Sequence, residues 1–404
     1  MSLIRPFRGL RPDPARADEI LAPPYDVVNT QEARRLACDK PWHFLHVSRA
    51  EIDLPEGIDP YDSRVYQQAA GVFESWIAEG ILIQDPHPCY YVYRLVMAGR
   101  VQTGLVAAAS VRAYENSRIK RHEWTRPDKE DDRVRHITAL SAQTGPVLLF
   151  YPDSSVIDAL IARQTGRSPD LDVLAPDGVQ HSLWVIAAET DCAALTTAFE
   201  QLPALYIADG HHRSAAAARV AAEFPHDASR ACFLTVCFPH HQMYMMEYNR
   251  LVSDLNGHTP QSLLEGIRES FRVEVVGERF KPGQSGTFGL YMAKTWYRLT
   301  LHPERIPTDP VGRLDVSLLH RYLIEPHLGI TDPRRDHRID FAGGIRGLEA
   351  LEARVDAGEM ALAFALYPTC VDDLMAVADA GHVMPPKSTW FEPKLADGLV
   401  SLRY

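Results

Sequence analysis

Five consecutive residues, Asp209-Gly210-His211-His212-Arg213, put a carboxylate, two imidazoles and a guanidinium into one turn of chain. The apolar run Ala204-Leu205-Tyr206-Ile207 leads into them, and the alanine-rich stretch Ser214–Phe224 that follows reads as a helix. A loop between a strand and a helix start offers backbone N–H groups that lack helical acceptors, together with the positive end of the helix dipole. That is a place for an anion. Gly210 lets the backbone approach a phosphate. Arg213 can grip phosphate oxygens through two parallel bonds, and His211 and His212 add donors. Asp209 can hold Mg²⁺ or orient a hydroxyl. Two other readings remain open: a polar turn capped by Asp209, and a metal site built from Asp209, His211 and His212.

A second cluster runs from Lys120 to His136 and is the most densely charged part of the chain. A solvated helix face laced with ion pairs is the plain reading of such a run. Its position between apolar strands favours function instead. Glu123, beside His122, suits a general base. Lys129 and Arg133 stand four apart, which on a helix gives them one face and a shared anion. Thr125 can cap that helix or bond a substrate. The spacing is not His-Glu-x-x-His, so a zinc protease is not indicated.

Two proline turns add candidates. In Pro385-Pro386-Lys387-Ser388-Thr389 a rigid turn precedes a cation and two hydroxyls, so Lys387 and Ser388 can close over a phosphate or carboxylate. The alternative is a packed loop anchored by Trp390 and Phe391. In Ala22-Pro23-Pro24-Tyr25-Asp26-Val27, Tyr25 and Asp26 suit a small polar ligand, or simply form a turn.

The elements that must position these residues can be read from periodicity. Tyr61–Glu79 predicts a helix stopped by Gly80, and Thr30-Gln31-Glu32 caps a short helix through Ala37. Cys89–Met97 and Val101–Val111 predict a hairpin across Ala98-Gly99-Arg100. Pro146–Tyr151, Val179–Ala187, Ala204–Ala208 and Ala231–Phe238 read as strands, with helices at Val156–Gln164 and Ala193–Gln201. The middle of the chain is therefore an α/β pattern. The last third predicts helices at Thr259–Phe271, Val316–Leu328 and Thr369–Ala380, a strand at Val273–Val276, a hairpin over Thr287–Leu301, and a strand at Met360–Leu366. Three regions are expected: 1–115, 116–255 and 256–404.

The chain has 404 residues, of which 46% are hydrophobic and 24% charged, which indicates folded domains and not disorder. A net charge of -11 argues against nucleic acid as a partner, because phosphate repels it. The six cysteines are scattered without a Cys-x-x-Cys pair, which excludes a zinc ribbon and a disulfide scaffold. No apolar stretch is long enough for a membrane span and the N-terminus has no signal-peptide pattern, so a cytoplasmic protein is expected. P-loop, dinucleotide-binding, nucleophile-elbow and protein-kinase signatures are all missing.

A strand followed by Asp-Gly-His-His-Arg and a helix resembles the phosphate-binding motif of the ParB/sulfiredoxin-like superfamily, which includes the free-serine kinases. Ile4-Arg5-Pro6-Phe7, Ala22–Val27, Ile119-Lys120-Arg121-His122-Glu123-Trp124-Thr125 and Met384-Pro385-Pro386-Lys387-Ser388-Thr389 are similar to a bacterial family catalogued as domain of unknown function 1015. The sulfiredoxin pattern needs a cysteine in the phosphate loop, and this loop has none. The resemblance implies an α/β fold of mixed α+β character: a ParB/sulfiredoxin-like nucleotide-binding core with mixed sheets and additional N- and C-terminal elements. It implies a nucleotide-dependent phosphotransferase acting on a small hydroxyl metabolite such as free L-serine, with ADP or ATP and Mg²⁺. Glu123, Asp209 and His211 are then the expected catalytic residues. Gly210, His212, Arg213, Lys129, Arg133 and Lys387 hold the nucleotide phosphates, Thr125, Tyr25, Asp26 and Ser388 contact the substrate, and Asp209 ligates the metal. A nucleotide switch that hydrolyses slowly or not at all, and a metal-dependent phosphohydrolase, are the alternatives.

Overall fold

The computed structural model describes residues 2–404 and shows a mixed α/β protein of two compact units. One comprises residues up to 243 together with 393–404; the other spans 244–392. The division differs from the three regions expected, because the last twelve residues return to the first unit, a contact that composition does not reveal.

In the first unit the chain order is β1 (Ile4–Arg5), β2 (Gly9–Pro12), α1 (Thr30–Ala37), α2 (Ser63–Ala78), β3 (Leu82–Gln84), β4 (Tyr90–Met97), β5 (Arg100–Ser110), β6 (Ile119–Lys120), α3 (Pro127–Leu140), β7 (Ala142–Gln143), β8 (Val147–Tyr151), α4 (Ser155–Gln164), β9 (Leu171–Leu174), β10 (Gln180–Ile186), α5 (Glu189–Glu200), β11 (Leu205–Asp209), α6 (His211–Glu223) and β12 (Cys232–Pro239). The main sheet runs β6-β11-β8-β12-β5-β4-β10-β9, with β1 also on β5. β5 is buried from Gln102 onward, as befits a strand at the sheet centre. The α/β pattern read from the sequence suggests parallel strands, but only β6–β11 and β8–β12 pair that way, and the others are antiparallel. Periodicity marks strands and says nothing of their direction.

One core lies on the sheet and includes Tyr90, Leu105, Leu149, Ile207, Phe199 and Phe233. A second, with Phe44, Leu45, Phe73, Trp76 and Leu140, binds the N-terminal helices to α3. α3 also packs on α6 through Val134 and Ile137 against Ala216 and Val220. The alanines of α6 allow that close approach, so the charged segment is fixed to the loop-bearing helix. Two local expectations are corrected. α1 is capped by Asn29 in a reciprocal capping box with Glu32, so Thr30 is its first residue. α3 starts at Pro127 with no side-chain cap, because Arg126, which has no acceptor to offer, holds the N-cap position, and the Thr125 hydroxyl bonds to Glu130.

The second unit contains β13 (Tyr244–Met246), β14 (Tyr248–Val252), α7 (Pro260–Ile267), β15 (Phe271–Val276), β16 (Thr287–Met292), β17 (Thr295–Leu301), β18 (Ile339–Gly343), α8 (Gly347–Asp356), β19 (Leu362–Ala365), α9 (Val371–Asp379) and β20 (Trp390–Glu392). Its antiparallel sheet is β15-β17-β16-β19-β14-β18, with Leu251, Trp296, Leu351 and Ala363 in its core. The helix expected over Val316–Leu328 turns π-helical at His320–Ile324. Pro326 lacks the N–H for Tyr322 and its ring crowds that carbonyl, which accounts for the widened turn. The last strand, β21 (Ser401–Arg403), pairs with β2 and β7 in the first unit. No helix among the described residues is long and apolar enough to cross a membrane.

Candidate functional site

β11 pairs with β8 in a register that shifts between Ile207 and Asp209. Such an irregularity re-aims the side chains at a strand end. Gly210 follows with φ of 98°, a left-handed conformation that suits glycine, and occupies the N-cap position of α6. The helix therefore begins at His211, three residues earlier than expected, and His211, His212 and Arg213 form its first turn. A Cβ at Gly210 would lie 3.2 Å from Arg213 Nε and from Val147 Cα. Gly210→Ala is expected to destabilise the first unit by about 1–2 kcal/mol and to displace Arg213; urea unfolding and the anion affinity of the variant check both.

Arg213 is only 8% exposed. It donates to the Pro146 carbonyl and reaches Asp209 Oδ2 at 3.3 Å and Asp26 Oδ2 at 3.7 Å. The two carboxylate contacts are longer than a close charge-assisted pair. Arg213 Nε is buried without a partner. Burial works against its charge, but Asp209, Asp26, Tyr25 and Asp397 together hold its pKa above the ordinary value. Asp209 accepts from the Gly210 N–H at 2.9 Å. Burial alone would raise the Asp209 pKa, yet Lys394 and then Arg213 outweigh it and bring the carboxyl to about 2.

Both histidines are neutral. Burial, then the neighbouring His122, drives His211 well below its ordinary pKa, and burial also lowers His212. His211 Nε2 accepts from the His122 N–H at 3.4 Å, and His212 Nε2 from the Arg126 N–H at 3.1 Å. A neutral ring whose Nε2 accepts carries its proton on Nδ1, so each presents one donor. Glu123 Oε2 lies 4.0 Å from His211 Nδ1. Its neighbour His122 is fully buried, and burial lowers that imidazole to about 4.

Tyr25 and Asp26 also come to the loop. The Arg133 guanidinium lies 3.9 Å over the Tyr25 ring, and Asp26 faces Arg213. Arg133 is buried and already gives Nε and Nη2 to Asp132 Oδ2 at 2.9 and 2.7 Å. Lys129 is exposed and donates to the Tyr61 hydroxyl at 2.6 Å, so it does not share a ligand-facing side with Arg133. Lys387 and Ser388 belong to the second unit. There the Lys387 ammonium lies 5.5 Å from the centre of the Tyr248 ring, its carbonyl accepts from Arg250 at 3.0 Å, and the Ser388 hydroxyl bonds the Pro385 carbonyl at 2.6 Å.

Sequence reasoning missed Asp397 and the role of Lys394. Asp397 is 1% exposed, and neither carboxyl oxygen makes a hydrogen bond of ordinary geometry. With Arg213, Arg133, Tyr25, Gln143 and Thr144 it lines a small cavity. Burial raises its pKa to about 7, against the opposing pull of Arg213 and Arg133. No local pattern marks a lone aspartate so far along the chain.

Residues 4–317 match the family model described as Protein of unknown function (DUF1015). The chain belongs to this family. None of the curated proteins matches it significantly. Among solved structures, this DUF1015 chain is similar to a free serine kinase in complex with AMP, at 12% identity and a TM-score of 0.34, covering 71% of this chain and 86% of that one. It is similar to a conserved hypothetical protein from Pyrococcus furiosus at 14% identity and a TM-score of 0.35, over 72% and 93% of the two chains. It is also similar to SbnI with C-terminal truncation from Staphylococcus aureus, at 10% identity and a TM-score of 0.38, over 74% and 87%. Likenesses this distant assign no residue of the DUF1015 chain a role.

Proposed function

We propose that the Asp209–Arg213 turn binds the phosphates of a nucleotide, on a ParB/sulfiredoxin-like core, and that the protein is a nucleotide-dependent phosphotransferase acting on a small hydroxyl metabolite, free L-serine being the candidate the motif resemblance suggests. The observation that carries the reading is Arg213: a buried guanidinium at a helix start, loosely paired, with one N–H uncommitted. An incoming phosphate competes with those carboxylates for the guanidinium and meets the first-turn N–H groups of α6 as well. His211 and His212 add their Nδ1 donors. Glu123, half-exposed beside His211, takes the proton as the acceptor oxygen attacks the terminal phosphorus and the bond to the leaving phosphate breaks.

Asp209 fits poorly as a holder of Mg²⁺. Its oxygens already face the Gly210 N–H and Arg213, and Lys394 adds a second positive charge. A cation there is repelled, so Asp209 is assigned to holding Arg213 in place. A divalent cation brought in with the nucleotide would supply charge neutralisation, and Arg213 supplies the charge this chain itself offers.

Calorimetric titration of the full chain with ADP and ATP plus Mg²⁺ tests the binding, and detection of a phosphorylated hydroxyl amino acid in the same mixture tests the transfer. Micromolar binding with product formation is expected. Binding without product would leave the nucleotide switch, and no binding of either nucleotide would sink the reading.

A further inference from the structure

His122, Glu123 and His211 bring three ligand atoms within 4.8 Å of one another at the loop. The two imidazole rings meet edge to face, with centroids 4.5 Å apart and planes at 90°. Both rings are buried, His122 at 1% and His211 at 5% exposure, so few waters compete for their nitrogens. The His122 ring donates one N–H to the Ile207 carbonyl. A neutral imidazole bonded in this way presents its other nitrogen as a lone pair, the usual arrangement that orients a metal-bound histidine.

The geometry points to a divalent transition-metal site formed by His122, Glu123 and His211. Two imidazoles and one carboxylate suit zinc, cobalt or manganese better than magnesium, which prefers oxygen ligands. Bonds of about 2.0–2.2 Å at tetrahedral angles set ligand atoms about 3.4 Å apart, so a pair at the 4.8 Å limit closes by about 1.4 Å and the Glu123–His211 pair, 4.0 Å apart, by about 0.6 Å. The half-exposed Glu123 can make that movement, since its backbone lies in the connector between β6 and α3. Binding at His211 Nδ1 moves that ring's proton to Nε2, so with a metal bound the Nδ1 donor to the phosphate comes from His212 alone. The contact given up, from the His122 N–H at 3.4 Å, lies at the outer limit of a hydrogen bond. Three protein ligands leave at least one coordination position open. A carboxylate bound through one oxygen keeps the second for a proton, so the site and the base role of Glu123 are compatible.

The test needs no nucleotide, so its failure leaves the phosphate reading standing. The full chain, stripped with a chelator, is titrated with Zn²⁺ by calorimetry and with Co²⁺ by visible absorption. One metal ion per chain is expected, with nitrogen–oxygen bands for cobalt. Glu123→Gln, which keeps shape at a half-exposed position and so preserves the fold, should weaken binding at least about 10-fold, as should His211→Gln. Asp209→Asn and His212→Gln should leave it within about two-fold. The half-buried His240 and the exposed His241, which share Asp153, offer a competing metal site. No stoichiometric binding, or a loss that follows His241→Gln or Asp209→Asn instead of Glu123→Gln, would overturn the assignment.

Discussion

Arg213→Ala is expected to weaken binding of nucleotide phosphates by at least about 100-fold, corresponding to about 3 kcal/mol of lost charge-assisted hydrogen bonds. The buried position argues for this size. A phosphate held by an 8% exposed guanidinium is shielded from water, so its loss is not made good by solvent. Removing the charge also leaves Asp209, Asp26 and Asp397 facing one another without their shared cation, which costs stability of about 3 kcal/mol. Arg213→Lys separates the two effects. It keeps a positive charge among the carboxylates but lacks the planar fork, so the fold should survive while affinity falls about 10-fold or more. Calorimetry with ADP and ATP reads the affinities, and urea unfolding reads the stability. Affinity within two-fold of the parent in a folded Arg213→Lys protein would place the phosphate elsewhere.

The second large effect belongs to Asp397. Its folded pKa of about 7 stands above the ordinary carboxyl value of 3.8 because burial penalises the ionised form. Below about pH 4 the carboxyl is protonated in both folded and unfolded chains, and no penalty exists. Between about pH 4 and 7 the unfolded chain releases its proton while the folded chain retains it, so stability falls as pH rises through this window. Above about pH 7 both are ionised and the full penalty, at most about 4 kcal/mol, applies. Asp397→Asn removes the charge and retains the shape. It should be more stable than the parent at pH 8, by about 2 kcal/mol once relaxation around Arg213 and Arg133 is allowed for, and should lose that part of the slope. Thermal unfolding of both proteins from pH 4 to 8 is the measurement. Identical slopes would mean that water or a neighbouring donor already stabilises the ionised carboxyl.

Much of the local structure is legible in the sequence because its causes are local. The hairpin at Ala98-Gly99, the apolar strands at Leu205–Asp209 and Cys232–Pro239, and the alanine-rich helix with glycine at its start follow from side-chain periodicity and backbone freedom over a few residues. The Asp209–Arg213 turn is visible for the same reason. Its position between strand and helix is encoded beside it.

The sequence could not show which charges face each other. The spacing offers Arg133 to an anion, but Asp132, adjacent in the chain, takes two of its five N–H groups and faces its charge. The four-residue spacing puts Lys129 on the same face, yet its ammonium turns to Tyr61. Asp397 and Lys394 come to the loop only because the last twelve residues cross back to the first unit and pair there with β2 and β7. The sequence by itself determined the elements and the chemistry of the loop, since propensity, capping and hydrophobic alternation act over short stretches of chain. Only the tertiary structure decided which of those groups are buried, paired or exposed to a ligand, because Coulomb interaction and desolvation depend on distance in space and not on separation along the sequence.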